Sequence, residues 1–243
     1  MLELKQVHTY YGQSHILRGL SLHIDRGECV ALLGPNGMGK TTTLRTVMGL
    51  TPALKGSVIF KGQDITHLQP FRIARLGIGY VPEERGLFDT LTVLQNLMVP
   101  FLNLKQHGNK KWEEIENKLF SLFPILKERH SQLAGSLSGG EQQMLATAQA
   151  LISGEEMVLM DEPTEGLAPM VVENLIDAFR SIKQQGITMM LVESNIRTAV
   201  KVADRCYIME KGYIKLEESM KVLSQRSDLL HQYLGVTNEA ADK

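Results

Sequence analysis

Several features that would define a class of protein are scarce or missing in this sequence. Cysteine occurs twice in 243 residues, at Cys29 and Cys206, and both lie in short apolar runs. Two such cysteines predict buried thiols rather than a disulfide framework. The longest apolar runs, such as 29–33, fall far short of the roughly 18 residues that a membrane-spanning helix needs. Residues 1–12 lack the apolar core and cleavage site of a signal peptide, so we expect a cytosolic protein that can still dock on a membrane component.

A surplus of charge of one sign is also missing. The chain has 26 Lys and Arg against 27 Asp and Glu, which gives no electrostatic reason to expect nucleic acid as a main partner. Hydrophobic residues make up 43% and charged residues 22%, as in a folded domain with a sizeable core, and this excludes disorder for most of the chain. The length fits one α/β domain with an inserted lobe. The polar residues 236–243 are predicted to be a frayed tail.

Short apolar runs alternate with segments of helical periodicity. This alternation predicts a mostly parallel sheet that is covered by helices on both faces. Near the C-terminus, Lys211-Gly212 separates two strand-like runs and predicts a β-hairpin. Buried strands are predicted at 29–33, 79–81, 157–160 and 188–192, and helices at 40–49 and 171–182.

The stretch from about 86 to 151 has a different pattern. Its apolar residues from 91 to 102 recur at helical spacing, and a charged segment follows from 105 to 118. We interpret it as a helical lobe inserted between two core strands. Packing within the lobe is the favoured explanation of the apolar stripe, and docking to another subunit is the alternative.

A glycine-rich sequence of the form GxxxxGK[ST] follows the first buried strand and opens a helix. Glycines let backbone amides converge on phosphate oxygens, and the helix adds the positive end of its dipole. Lys40 is placed to reach the β- and γ-phosphates, and the Thr41 hydroxyl to bind Mg²⁺. We therefore predict a nucleoside triphosphate site rather than a turn that fits by chance. The residues predicted to bind the nucleotide here are Gly34, Pro35, Asn36, Gly37, Met38, Gly39, Lys40, Thr41 and Thr42.

Two carboxylates, Asp161 and Glu162, come at the end of the apolar strand 157–160. The C-terminal ends of parallel strands face the crevice where α/β sheets hold ligands. Alone, such a pair is ordinary surface. Combined with the phosphate loop, it predicts that Asp161 holds Mg²⁺ and that Glu162 polarises an attacking water molecule.

A second anion site is predicted where Leu137-Ser138-Gly139-Gly140-Glu141 opens a helix. Ser138 is a good N-cap, and Glu141 three residues later completes a capping box. The simplest explanation is a capped helix with a flexible start. The functional hypothesis is that the backbone amides of Ser138, Gly139 and Gly140 bind the nucleotide of a partner subunit.

The order of phosphate loop, LSGGE, strand with Asp-Glu and final core strand resembles the nucleotide-binding subunit of ABC transporters, from Leu2 to about Gly235. The resemblance implies an α/β fold, a P-loop ATPase domain over residues 1–235 with a mostly parallel core sheet, an N-terminal antiparallel β subdomain and the helical lobe. In that family the LSGG helix of one subunit caps the γ-phosphate held by the other. The dimer closes on two ATP molecules and drives the membrane subunits.

Other positions follow from the resemblance. The aromatic residue that stacks on adenine corresponds to Tyr11, with Tyr10 adjacent, and either is alternatively a core strand residue. The switch-loop glutamine that touches Mg²⁺ and attacking water corresponds to Glu83. Ala168 stands where the family has the aspartate of the loop that links the two active sites. Ser194 stands where the family has the switch histidine.

These departures resemble one branch of the family, the second ATPase subunit of the high-affinity branched-chain amino-acid importer. The branch commonly has glutamine in place of the histidine, and Ser194 departs even from that. Serine is too short to reach the γ-phosphate, so we expect slow turnover at a site whose catalytic residues are Glu162, Lys40, Glu83 and Ser194. Gln149 replaces an arginine that is usual in the LSGG helix.

The resemblance further implies ATP and Mg²⁺ as ligands and a position on the inner face of the cell membrane. The expected partners are a related ABC ATPase subunit, two permease subunits and, indirectly, a periplasmic or extracellular substrate-binding protein. A homodimer is the alternative to the pair of related subunits, and no nucleic acid is expected.

The sequence is compatible with three other functions. The cargo can instead be urea, a short amide or another amino acid. A regulatory subunit that hydrolyses poorly is favoured by Ser194 and Ala168 and opposed by Glu162 and Lys40. An ABC protein acting on ribosomes or DNA is disfavoured by the single compact domain and the balanced charge.

Overall fold

The computed structural model describes residues 1–103, 111–226 and 228–229. Strands and helices alternate through most of this length, as the sequence pattern predicts. The strands are β1 Leu2–Tyr11, β2 Ser14–Ile24, β3 Cys29–Leu33, β4 Lys55–Phe60, β5 Gln63–Asp64, β6 Ile78–Val81, β7 Met157–Asp161, β8 Thr188–Glu193, β9 Arg205–Glu210 and β10 Tyr213–Ser219. The helices are α1 Lys40–Val47, α2 Pro70–Ala74, α3 Val93–Asn103, α4 Trp112–Leu122, α5 Pro124–Glu128, α6 Gly139–Ser153, α7 Pro169–Gln184, α8 Ile196–Val202 and α9 Met220–Leu223.

The larger sheet has the strand order β10-β9-β3-β8-β7-β6. Neighbouring strands from β9 to β6 are parallel, and within this sheet, as far as the structure describes it, only β9 and β10 pair in an antiparallel way. Every residue of β3, β7 and β8 is buried, as expected for parallel strands covered on both faces. The predicted mostly parallel core sheet and the hairpin at Lys211-Gly212 are therefore confirmed.

The N-terminal part forms a second, antiparallel sheet with the order β2-β1-β4-β5. Its strands alternate between buried and accessible positions, which is the pattern of a sheet with one face on the core. The N-terminal antiparallel β subdomain that the resemblance implies is thus confirmed.

Helices α3 to α6 occupy the stretch between β6 and β7, where the sequence predicts a helical lobe. Val93 and Leu97 of α3 are fully buried, whereas Leu102 is 66% exposed. The side-chain amide of Gln149 on α6 donates to the backbone carbonyl of Asn96 at 2.8 Å, and Asn96 is itself completely buried. This bond joins α3 to α6 and gives Gln149 a structural role that the sequence did not reveal.

Both cysteines are free and buried, as predicted. Burial raises the pKa of Cys206 to about 12, so its thiol is not reactive near neutral pH. Along the ranges 1–103, 111–226 and 228–229, none of the helices combines the length and apolar character that crossing a bilayer requires. The tail 236–243 and residues 105–110 of the charged segment lie outside the described residues.

Candidate active site

Three neighbouring parallel strands end at one edge of the larger sheet and build the candidate site. β3 runs into the glycine-rich loop 34–39, β7 ends at Asp161, and β8 ends at Glu193. A cavity of about 390 Å³ opens there. It is lined by Ile16, Asn36, Gly37, Gly39, Lys40, Thr41, Thr42, Glu83, Glu162 and Glu165.

The glycine-rich loop turns directly into α1, and Gly39 is the residue before the helix. Gly39 has φ of +107°, a conformation that other residues rarely adopt, and a Cβ there would lie 2.9 Å from Cε of Met209. Lys40 is 4% exposed, and its ammonium group donates to the carbonyl oxygens of Gly34 at 2.7 Å and Pro35 at 3.2 Å. The lysine is therefore held against its own loop.

Lys40 also forms an ion pair with Glu162. The Nζ–Oε1 distance is 3.1 Å, and the two side chains are only 4% and 5% exposed. Charges so far removed from water attract strongly, and removing one partner leaves a costly unpaired charge. The ion pair therefore connects the glycine-rich loop to the end of β7.

Glu162 is held from several sides. Its backbone has φ of +46°, which is unusual for a residue with a side chain, and its N–H donates to the carbonyl of Val192 at 2.9 Å. The backbone N–H of Ser194 donates to Oε2 of Glu162 at 2.8 Å, and the Ser194 hydroxyl donates to the same oxygen at 3.1 Å. Backbone strain of this kind is typical of functional sites.

Asp161 lies beside Glu162 and is 1% exposed. Its Oδ1 accepts a hydrogen bond from the Thr41 hydroxyl at 3.0 Å, and its Oδ2 accepts one from the Tyr80 hydroxyl at 3.4 Å. Burial raises the pKa of Asp161 to about 6, against the opposing effect of the Thr41 bond, and the charges of Glu83 and Glu162 raise it further.

The donor set around Asp161 suits a magnesium ion. Mg²⁺ prefers oxygen ligands, and it is commonly bound by one or two carboxylates together with phosphate oxygens. Thr41 and Asp161 are joined by their hydrogen bond, and Glu83 lies close enough to raise the pKa of Asp161. A bound cation would also stabilise the charged form of this buried carboxylate. The residues present therefore fit the ion.

Other predicted residues lie outside the cavity that contains Lys40. Ser138, Gly139 and Gly140 do not line it, and neither do Tyr10 and Tyr11. The same holds for Gly34, Pro35, Met38, Asp161 and Ser194. Of these, Gly34 and Pro35 contact Lys40.

Tyr11 is 45% exposed, and its hydroxyl lies 3.1 Å from the Thr51 hydroxyl. Tyr10 stacks on His15 with ring centroids 4.1 Å apart. Both tyrosines belong to strand β1, but Tyr11 is exposed and Tyr10 is only partly buried, so neither is a fully buried core residue.

The predicted capping box at the start of α6 is confirmed. The Glu141 N–H donates to the Ser138 hydroxyl at 3.3 Å, and the Ser138 N–H donates to Glu141 Oε2 at 2.8 Å. A Cβ on Gly140 would collide with Val171 of α7, so glycine is required there. Arg85, which follows Glu83 in the switch loop, donates to the side-chain oxygen of Gln142 at 2.7 Å and ties that loop to α6.

Two polar contacts of the site were missed from the sequence. The sequence pattern places Tyr80 only in a buried strand, whereas in the structure its hydroxyl contacts Asp161. Glu193 is buried, and burial together with the nearby charge of Glu162 raises its pKa well above the usual range. Its signal was present, since an acidic residue ends the apolar strand β8 just as Asp161 ends β7.

Comparison with known proteins identifies the family. The pattern that defines the ABC transporter family matches residues 17–165. The chain is 39% identical to the high-affinity branched-chain amino acid transport ATP-binding protein BraG of Pseudomonas aeruginosa, over 97% of this chain and 100% of BraG. It is 31% identical to the probable branched-chain amino acid transport ATP-binding protein LivF of Archaeoglobus fulgidus, over 98% of this chain and 100% of LivF.

A solved structure gives the same answer for the fold. An ATP-binding cassette seen as a dimer in a post-hydrolysis state with ADP and phosphate superposes with a TM-score of 0.81. It is 26% identical and covers 90% of this chain and 99% of its own length. The chain belongs to the ABC transporter family and is an ATP-binding subunit of such a transporter. ATPases of this family bind ATP with Mg²⁺, hydrolyse it, dimerise and pair with permeases.

The raised pKa of Asp161 predicts how neutralising it changes stability. A carboxyl group whose folded pKa exceeds its unfolded value stabilises the fold only while it is protonated, and this contribution is lost as the pH rises through about 6. Asp161→Asn should therefore raise the free energy of unfolding by about 2 kcal/mol at pH 7.5. The gain should shrink as the pH falls to 5. Denaturant unfolding in magnesium-free buffer measures both.

Asp64→Asn is the control of opposite sign. Hydrogen bonds from Thr66 lower the pKa of Asp64, so neutralising this exposed carboxylate should decrease stability at pH 7.5. If Asp161→Asn were also less stable than the wild type at that pH, burial would not be the dominant influence on Asp161.

Proposed function

We propose that this chain hydrolyses ATP to power an ABC importer of branched-chain amino acids. The observation that supports this most directly is the 39% identity to BraG, which extends over nearly the whole of both chains. The similarity to LivF, named for the same transport, supports it further. The assignment of the cargo depends on the similarity to these two proteins alone, because an ATPase subunit does not contact the transported molecule.

Glu162 is the proposed general base. Its carboxylate lines the cavity beside Lys40, and hydrogen bonds from Ser194 orient one of its oxygens. In this role it accepts a proton from the water molecule that attacks the γ-phosphorus atom. The geometry supports the assignment because a base must be held within hydrogen-bond reach of a water molecule at the phosphate.

Lys40 and the backbone of the glycine-rich loop are proposed to bind the phosphates. The Lys40 ammonium group lies at the loop and neutralises negative charge on the transferred phosphoryl group. Thr41, Asp161 and Glu83 would hold Mg²⁺, which supplies further charge neutralisation when bound. Tyr11, which is accessible at the end of β1, is proposed to stack on the adenine ring.

The helix that begins at Ser138 is proposed to serve the nucleotide of a partner subunit. Ser138, Gly139 and Gly140 do not line the cavity that holds Lys40, and Ser138 is exposed. Backbone amides at a helix N-terminus favour an anion. A related ABC ATPase is the proposed partner, with a second copy of this chain as the alternative.

The membrane partner is proposed to dock on a groove of about 370 Å³ between the switch loop and the helices α3 and α6. Pro82, Arg85, Phe88, Val99 and Pro100 contribute to it, and Phe88 is 50% exposed. An exposed aromatic residue in such a groove is typical of an interaction surface. Docking of one of the two permease subunits there would hold the chain on the inner face of the membrane, with an external substrate-binding protein as an indirect partner.

A subunit that hydrolyses slowly is the second candidate, and Ser194 favours it. The Ser194 hydroxyl is bonded to Glu162, and serine lacks the length of the histidine expected there. Ser194→His should raise the ATPase rate about tenfold, because an imidazole reaches the phosphate while the backbone bond to Glu162 remains. Steady-state phosphate release measures the change.

Ser194→Ala is the matched control for this variant. It removes the hydroxyl bond but keeps the backbone N–H bond, and it should not accelerate turnover. An unchanged rate in Ser194→His would show that the missing histidine does not limit hydrolysis.

Uptake of labelled leucine tests the proposed cargo and the need for this site together. In a strain lacking the chain, the wild type should restore uptake and Lys40→Ala should not, because Lys40 is proposed to bind the phosphates. Lys55→Ala, at an exposed lysine, is the control and should restore uptake. Equal rescue by Lys40→Ala would mean that the site is idle. Uptake that never depended on the chain would exclude this cargo, and labelled urea would be tested next.

A further inference from the structure

Glu193 is a buried acidic residue at the end of β8 to which the proposed mechanism of ATP hydrolysis assigns no role. It is 1% exposed, although glutamate is rarely buried without a partner. It lies between Val192, which accepts the Glu162 N–H, and Ser194, whose N–H and hydroxyl bind the Glu162 carboxylate. The strand end thus brings Glu193 next to Glu162.

Glu193 is held by a threonine and lies near Glu162. Oε1 accepts a hydrogen bond from the Thr164 hydroxyl at 2.9 Å, and Thr164 is in turn 2.9 Å from the Thr198 hydroxyl. Glu193 and Glu162 line the same cavity, and a hydrogen bond between their carboxyl groups is among the causes that raise the pKa of Glu193. Two carboxyl groups can hydrogen bond to each other only if one of them carries a proton.

The proton belongs on Glu193. Glu162 accepts from Lys40 at Oε1 and from two donors of Ser194 at Oε2, so both of its oxygens already serve as acceptors. Glu193 is the more deeply buried acid, and burial together with the charge of Glu162 raises its pKa well above the usual range. A neutral Glu193 can then donate a hydrogen bond to an oxygen of Glu162.

We propose that Glu193 is a positioning residue whose neutral carboxyl group holds Glu162 in place by donating a hydrogen bond to it. This inference rests on the proposed role of Glu162 as the general base. Thr164 fixes Glu193 from one side, so the donor is rigid. Glu162 is then held by Lys40 at Oε1, by Ser194 at Oε2 and by Glu193.

A second cavity explains why Glu162 needs to be held in place. Glu162 and Glu193 both line a space of about 460 Å³ between α7 and α8, on the side of the loop at Gly166. The space is large enough for a carboxylate to rotate into it. A base that turned into this cavity would leave the attacking water, and a misplacement of about 1 Å can cost a factor of about 100 in rate.

Four variants of the full chain test the proposal by their rates of ATP hydrolysis and their ATP affinity. Glu193→Leu removes the donor, and kcat should fall about 10- to 100-fold with KM nearly unchanged. Glu193→Gln keeps a neutral donor to Glu162 and an acceptor for Thr164, and it should retain kcat within about threefold. Glu173→Gln removes an exposed carboxylate from the same cavity and should behave as the wild type. Glu162→Gln sets the level of a chain without its base.

The outcomes separate this inference from the proposed function. Wild-type kcat in Glu193→Leu, with Glu162→Gln inactive, overturns the role of Glu193 and leaves the base in place. A Glu193→Gln variant as slow as Glu193→Leu overturns the neutral donor, because the charge would then be required. Wild-type kcat in Glu162→Gln overturns the base and this inference with it.

An infrared measurement decides the protonation state without turnover, even where Glu193→Leu does not fold. At pH 7.5 the wild type and Glu173→Gln should show the carbonyl stretch of a protonated carboxyl group, and Glu193→Gln should lack it. Identical spectra of the wild type and Glu193→Gln in this region would overturn the proposal.

Discussion

The ion pair between Lys40 and Glu162 is the interaction on which the site depends. Its atoms are 3.1 Å apart and nearly removed from solvent, and it joins the loop after β3 to the end of β7. Burying either charge without its partner would be costly. The ion pair therefore fixes the position of the loop after β3 relative to the end of β7. The parallel pairing of β3 and β7 with β8 supplies the rigid edge that this pair requires.

The same strand ends bring together more acidic side chains than one lysine can pair with. Asp161, Glu162 and Glu193 lie within or beside two neighbouring strands, and the charge of Glu83 adds to the effect on Asp161. The raised pKa values of Asp161 and Glu193 follow first from burial and then from the charges of these neighbouring groups. Such an arrangement lowers stability, as is common where a protein binds a cation and moves protons.

The sequence predicted the parts of the structure that depend on local pattern. Apolar runs located β3, β7 and β8, and Ser138 with Glu141 located the cap of α6, because these features need only neighbouring residues. It could not reveal the bond of Gln149 to Asn96 or the pairing of Glu193 with Glu162. Those contacts join segments more than 30 residues apart, and only the packed fold brings them together.

The most direct test of the account is the nucleotide bound to Glu162→Gln after incubation with magnesium and ATP. If Glu162 is the base, the variant keeps ATP binding and loses hydrolysis, because glutamine preserves shape but cannot accept the proton. We expect the recovered nucleotide to be ATP, held in a dimer that elutes ahead of the monomer in gel filtration. If the variant instead forms ADP at the wild-type rate, Glu162 is not the general base.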